Sequence, residues 1–319
     1  EGKVTFEDAV LGSITIDNEE LDDFILVRSD GMPTYNFAVV VDDADMQVSH
    51  VIRGNDHLNN TVRQINLYNA LKLALPTFAH IPMIAGEDGK KLSKRHGAVS
   101  VLQYREDGYL PQALVNYLVR LGWSHGDQEV FSTAEMIAAF NLDSVSKSPA
   151  IFDSEKLNWL NQQYLKAMPW DELEAHVLWH IEQAGIDLSQ GAALELVVDA
   201  YRERAVTLVD LMDAIRCYYQ DEVEFDQEAA ADKLVSDAGP ILQALHDELA
   251  KLEAWEPGAL KSAVKGTVKS LGVKFPQVGQ PLRVALTGGM MSPGIDQTLH
   301  LTGRERSLAR ILQAIAKCA

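Results

Sequence analysis

Cysteine is almost missing from this chain. Cys217 and Cys318 are the two thiols among 319 residues, and they form no paired-ligand spacing. That excludes a disulfide framework and a cysteine-built zinc site, and it points to a reducing, cytoplasmic setting. Long apolar runs are missing too. Phe37 to Val41 is far shorter than the ~18 residues a bilayer span needs, so no membrane partner is expected. No charged-then-apolar leader precedes a small-residue cleavage site, which argues against secretion. Internal repeats and low-complexity linkers are absent as well. Basic residues are scarce, with 28 Lys and Arg against 46 acids and a formal net charge of −18. A uniformly acidic protein repels phosphate, so any nucleic-acid contact has to be local.

With 47% hydrophobic content and 11 prolines, the chain reads as globular, with two or three domains. Phe24 to Arg28, Val48 to Ile52 and His80 to Ile84 are strand-like. Asn60 to Leu73 has helical spacing with Asn59 or Asn60 as its cap, and Phe37 to Val41 fits helix or strand equally. Residues 85–89 read as a turn. After residue 98 the pattern turns helical: Ser100 to Asp107, Leu110 to Trp123, a capping box at Ser132 opening Ala134 to Phe140, and a helix from Asp153 or Ser154 to Met168. Pro169 marks a boundary. Helical patterns then continue from Asp171, with breaks at Gly185, around Gln220, at Gly239-Pro240 and at Pro257-Gly258. The fold class is therefore α/β followed by all-α.

Two concentrations of positive charge stand out. Lys90-Lys91-Leu92-Ser93-Lys94-Arg95 carries four bases in six residues between Gly89 and His96-Gly97. Its partner is a nucleoside triphosphate, an RNA backbone or only water. A basic loop leaving the carboxyl end of a strand sits where open α/β sheets bind ligands. From Trp255 onward, nine Lys and Arg stand against three acids, leaving 19 bases against 43 acids elsewhere. This tail is an RNA-binding surface or a solvated helical face. Arg53, ending a strand, has the planar cation that grips a carboxylate through two hydrogen bonds. The competing role is an ion pair with Asp42, Asp43 or Asp45.

Lys-x-Ser-Lys-Arg closely resembles the KMSKS motif of class I aminoacyl-tRNA synthetases, and Gly89 to Gly97 resembles its form in bacterial glutamyl-tRNA synthetases. Further blocks of that family recur in order: Leu21 to Arg28, Gly31 to Phe37, Val51 to His57, Gly108 to Pro111 with Leu114 to Leu118, Leu121 to Ser124, and Gln280 to Gly288. The resemblance implies a ligase that activates glutamate with ATP and Mg2+ and transfers it to tRNA-Glu. It implies the second half of a Rossmann-like catalytic fold with its acceptor-binding insertion over residues 1–97. A helical stem-contact region over 98–169 and an all-helical anticodon-binding region over 170–319 would follow.

By the same resemblance Lys94 is the phosphate-contacting lysine and Lys91 its support, with Leu92, Ser93 and Arg95 completing the ATP loop. Asp56 approaches the ATP ribose or adenine, and the Ile84 backbone approaches the adenine. Asn55 departs from the pattern, since relatives commonly carry an acid there. Tyr35 and Arg53 line the glutamate pocket. Lys261, Lys265, Lys269, Arg304, Arg306 and Arg310 are expected on the RNA-facing surface, in a monomer with no protein-bound zinc.

The His-x-Gly-His motif of the class is absent, because no two of the nine histidines have that spacing. The chain opens at Glu1 on a stretch resembling the middle of the acceptor-binding insertion. The expectation is a synthetase without the first half of its nucleotide fold, inactive alone; the alternative is a tRNA-binding module with no chemistry. A glutaminyl-tRNA synthetase is disfavoured because that family ends in β-barrels, and a glutamyl-queuosine synthetase because it resembles only the catalytic part. His176 and His180 have metal-like spacing but no HExxH glutamate, so they are expected in core or surface roles. Trp170, Trp179 and Trp255 are expected to pack rather than stack on bases.

Overall fold

The computed structural model describes residues 2–86, 88–92 and 100–318. The chain divides into two compact units, Glu1–Ser100 with Gln112–Leu157, and Val101–Pro111 with Asn158–Ala319.

The first unit begins with a hairpin, β1 (Lys3–Asp8) and β2 (Gly12–Asp17), paired antiparallel. Alternate residues of β1 face inward, so Val4, Phe6 and Asp8 are buried. Helix α1 (Tyr35–Asp45) follows, then β3 (His50–Gly54), α2 (Leu58–Leu71) and β4 (Thr77–Ile81). β3 and β4 are parallel, joined by α2 as a βαβ crossover, and the sheet order is β2-β1-β4-β3. Val40 of α1 and Val62, Ile65 and Tyr68 of α2 close over Val4, Phe6 and Phe78 of the sheet. The ambiguous run Phe37 to Val41 is thus helical.

Three expectations need correction. Phe24 to Arg28 forms no strand; its ladder is the isolated bridge Val27↔Pro33. Pro33 has no N–H to extend a ladder, and the chain turns at once through Asp30 and Gly31, whose φ is +83°. His80 to Ile84 is split by Pro82-Met83 into the end of β4 and β5 (Ile84–Ala85). Asn59 and Asn60 do not cap α2, which opens directly from a 3-10 turn at Asn55–His57. The capping box at Ser132 is present and opens α5 (Thr133–Ala139). α4 (Pro111–Gly122) precedes it, and Trp123, Phe131 and Met136 form a small separate core.

The second unit is helical among its described residues. α3 (Val101–Glu106) precedes α4; after β6 (Ala150–Ile151), α6 (Ser154–Ala167) leads into α7 (Trp170–Gln183), α8 (Leu194–Tyr201) and α9 (Leu208–Ile215). α10 (Gln227–Lys233), α11 (Ala238–Ala250), α12 (Pro257–Leu271), α13 (Phe275–Thr287), α14 (Ile295–Thr302) and α15 (Arg304–Lys317) follow. Gly239-Pro240 lies inside the first turn of α11, where a missing proline N–H costs nothing. Leu242, Leu245, Leu260, Leu282, Leu299 and Ile311 meet in one core. Gly288 ends α13 at φ +79°, and an added Cβ would lie 2.1 Å from the Glu224 carbonyl oxygen, so no other residue fits there. No helix among the described residues is long and apolar enough to cross a membrane.

Arg105 lays its guanidinium over Trp179 at 4.1 Å, and buried His180 meets the same indole edge-on. His180 is thereby tied into packing. Burial, with Arg105 and His176 nearby, pushes His180 down to about 4. The neutral ring belongs to the fold, so its stabilisation is whole above the ordinary value of 6.5 and fades as pH falls toward 4. The expected scale is up to about 3 kcal/mol. The drop in melting temperature from pH 7 to pH 5 should shrink in His180→Phe; an equal drop in both proteins would remove this assignment.

Candidate active site

The carboxyl end of β3 delivers Arg53 and Gly54, and the turn after it delivers Asp56. A Cβ on Gly54 would come within 2.5 Å of Asp56 Oδ1, so the bare glycine leaves room for the carboxylate to fold back. Lys91 Nζ holds that carboxylate from the other side at 3.1 Å. The hydrogen bond and charge of Lys91 keep the Asp56 carboxyl below its ordinary range. Lys91 is itself positioned by a short return of chain onto β5: it bridges Ala85, Gly86 N–H donates to the Lys90 carbonyl, and Leu92 N–H donates to the Ile84 carbonyl. Ile84 therefore has its carbonyl engaged by the loop itself. Ser93, Lys94 and Arg95 lie outside the described residues.

Arg53 is half-buried. Its Nε donates to His80 Nε2 at 3.3 Å, and its Nη2 donates to Thr61 Oγ1 at 2.6 Å and Gln64 Oε1 at 2.8 Å. No ion pair joins it to Asp42, Asp43 or Asp45 among the described residues. Burial raises Asp43, with the Arg53 charge working against that rise. Gln64 passes the network on by donating to Asn36 Oδ1 at 3.0 Å. Asn36 neighbours Tyr35, whose exposed ring lies 6.2 Å from that of His57, next to Asp56. A continuous run of contacts and chain neighbours thus links Arg53, Tyr35, Asp56, Lys91, Leu92 and Ile84. Among the described residues Arg53 makes no ion pair, and the Asp56–Lys91 pair stands three positions further along the chain.

The second unit holds a cleft of about 400 Å³ lined by Lys261 and Lys265 of α12, Phe275, Gln280 and Arg283 of α13, and Gly294, Ile295 and Asp296 at the start of α14. Lys261, Lys265 and Lys269 recur every four residues on the exposed face of α12. Arg283 is fixed by Nε donating to Ser292 Oγ at 2.8 Å and Nη2 to the Pro293 carbonyl at 3.4 Å. Arg310 and Arg306 of α15 correct the sequence expectation. Arg310 is 1% exposed, and its guanidinium donates to the carbonyls of Cys217, Gln220, Asp221 and Leu286. Arg306 is committed to Asp221 and the Tyr218 carbonyl. Arg304 lies partly buried over the Trp255 ring. A charge count cannot tell a cation that closes helix carbonyls from one that faces phosphate.

Residues 1–159 match the family model for the catalytic domain of class I tRNA synthetases (E and Q), and residues 155–315 match the anticodon binding domain. The chain belongs to the class I tRNA synthetases. Among solved structures, this synthetase chain is similar to a glutamate tRNA ligase from Elizabethkingia meningosepticum CCUG26117 in complex with its amino acid. That match has 29% identity and a TM-score of 0.84 over 100% of this chain and 67% of that one. The glutamate-tRNA synthetase from Elizabethkingia anophelis matches at 30% identity and a TM-score of 0.80, over 99% of this chain and 66% of that one. The synthetase chain thus spans about two thirds of the length of these relatives. Sequence reasoning gave no role to His80, Thr61 or Gln64 around Arg53, nor to Phe275 and Arg283 in the cleft. Arg283 lay inside a recognised block; the other signals exist only once distant residues meet.

Proposed function

We propose that this chain supplies the glutamate pocket, the KMSKS side of the ATP site and the tRNA-reading helices of a cytoplasmic, monomeric glutamate–tRNA ligase. The observation that carries the reading is Arg53: a half-buried guanidinium with no ion-pair partner among the described residues, three positions before Asp56 of the Asp56–Lys91 pair. Arg53 and Tyr35 would hold glutamate, and Asp56 with Lys91 to Arg95 would meet ATP. Residues 98–169 would contact the tRNA stem and 170–319 the anticodon. Mg2+ in phosphoryl sites is commonly held by substrate phosphates and water with one or two carboxylates. The described residues offer no cluster of three or more His, Cys, Asp or Glu for a metal, so Mg2+ would arrive with the nucleotide, where it would offset phosphate charge. The 319-residue chain contains no His-x-Gly-His and is expected to show no glutamate-dependent ATP–pyrophosphate exchange, with or without tRNA. Clear exchange would overturn that part of the reading.

The cleft of α12 to α14 supports a second role that needs no chemistry, binding tRNA. Lys261, Lys265 and Lys269 would meet phosphates, and exposed Phe275 with Arg283 would meet a splayed base by stacking and edge contacts. Affinity for tRNA-Glu should fall with salt, because neutralised phosphates release counterions. Lys265→Glu should weaken binding more than Lys147→Glu in gel-shift titrations at two salt concentrations. An anticodon substitution should weaken it beyond the salt-dependent part. Binding indifferent to Lys265 and to the anticodon alike would remove this assignment.

A further inference from the structure

Behind Arg53 lies a buried relay that the proposed glutamate pocket does not itself require. Asp8 ends β1 and His80 lies on β4; both side chains are fully buried. Asp8 Oδ2 meets His80 Nδ1 at 2.5 Å, and the backbone N–H groups of Val10, Leu11 and His80 also donate to this carboxylate. Burial opposes the Asp8 charge, yet these donors outweigh it and hold the carboxyl below its ordinary range. On the other side, His80 Nε2 faces Arg53 Nε at 3.3 Å and Thr61 Oγ1 at 2.8 Å. A guanidinium can only donate, so Nε2 accepts and the ring proton sits on Nδ1, given to Asp8. Nη2 spends its two hydrogens on Thr61 and Gln64. The Nη1 group alone is without a partner among the described residues.

We infer that His80, held in one tautomer by Asp8, is a positioning residue that fixes the rotation of Arg53 and leaves Nη1 as the group offered to a substrate carboxylate. The inference rests on the reading of Arg53 as the glutamate-binding cation, and it confines the grip expected from sequence to the hydrogens of one nitrogen. It also explains a buried Asp–His pair at a site where neither side chain reaches solvent. An asparagine at position 8 keeps Oδ1 for the Val10 and Leu11 amides but turns an NH2 toward His80 Nδ1. The ring proton must then move to Nε2, which would point a donor at a donor. A carboxylate that orients a histidine by selecting its tautomer is a known catalytic device, whose loss leaves geometry intact but function impaired.

The test uses the 319-residue chain with nitrogen-15 in histidine and arginine. The ring shifts of wild-type His80 should show Nδ1 protonated and Nε2 bare, a reading that needs no variant. In Asp8→Asn the two should exchange, and the Arg53 Nε–H signal should lose its slow exchange with water. Glutamate should move the Arg53 signals in wild type, and Asp8→Asn should need about tenfold more or beyond, the scale of one lost hydrogen bond to a charged group. A wild-type proton on Nε2 overturns the proposal, as does unchanged glutamate affinity in a variant whose tautomer has exchanged. If glutamate leaves the wild-type Arg53 signals unmoved, the glutamate assignment fails, while the tautomer exchange still decides whether His80 orients Arg53.

Discussion

Arg310→Met should be the most damaging substitution in the helical unit, lowering its stability by about 3 kcal/mol or more. Arg310 is 1% exposed, and its donors close four carbonyls contributed by the stretch Cys217–Asp221 and by Leu286 near the end of α13. The Cys217 and Leu286 carbonyls lie in the last turns of helical segments, where no helix amide is left to satisfy them. Methionine fills much of the volume and restores none of the hydrogen bonds, so the buried Cys217 and Leu286 carbonyls stay unpaired. In a unit of this size such a loss lowers the melting temperature by about 6–12 °C. Arg310→Lys should recover only part, because one ammonium cannot span the positions a planar guanidinium reaches. Arg304→Ala removes a side chain resting over Trp255 and should cost much less. Calorimetric melts of the three variants separate these roles, and an Arg310→Met protein melting with wild type would show that the carbonyls find other partners.

The two arginines, Arg310 and Arg53, show where sequence reading stops. Helical periodicity placed both chain halves in their classes, and Ser132 with Glu135 announced the start of α5 correctly because a capping box is local. Local signals also misled: Phe24 to Arg28 has strand composition, but its only described pairing is with Pro33, which cannot propagate a ladder. Asn59 and Asn60 have cap chemistry, but a 3-10 turn already leads into α2. The charge count weighed Arg310 and Lys265 equally. Helix phase separates them, since Lys265 falls on the exposed side of α12 and Arg310 on the buried side of α15. That information depends on which neighbouring helices cover which side.

For the site, the type and position of Arg53 were legible from its place at a strand end, and its candidate ion-pair partners were legible as well. The choice between substrate and ion pair was not. It turns on His80, Thr61 and Gln64, which come from β4 and α2 and supply only neutral acceptors. Neutral acceptors hold a guanidinium without cancelling its charge, so the cation stays available to an anion. Asp8, 72 residues from His80 in the chain, completes the arrangement through the β1–β4 pairing. A contact of that separation has no local trace in the sequence.

Lys94→Ala, in a full-length glutamate–tRNA ligase containing this chain, should lower the rate of glutamate adenylation by about 10²–10³-fold, the scale of removing one preorganised donor to a transition-state charge. Negative charge accumulates on the phosphates as pyrophosphate leaves, and a lysine cation beside them would offset it. The division of labour with Lys91 follows from the structure: Lys91 is already joined to Asp56 at 3.1 Å, so its charge is partly committed. Lys91→Ala should therefore slow adenylation less than Lys94→Ala, and Asp56→Asn should resemble Lys91→Ala more than Lys94→Ala. Affinity for tRNA-Glu should stay nearly constant in all three, because the RNA contacts are assigned to the lysines of α12. Pre-steady-state adenylation and filter binding of labelled tRNA measure the two quantities separately. A loss of tRNA binding with intact adenylation would show that the basic loop serves RNA, and equal losses in the Lys91 and Lys94 variants would dissolve the distinction drawn between them.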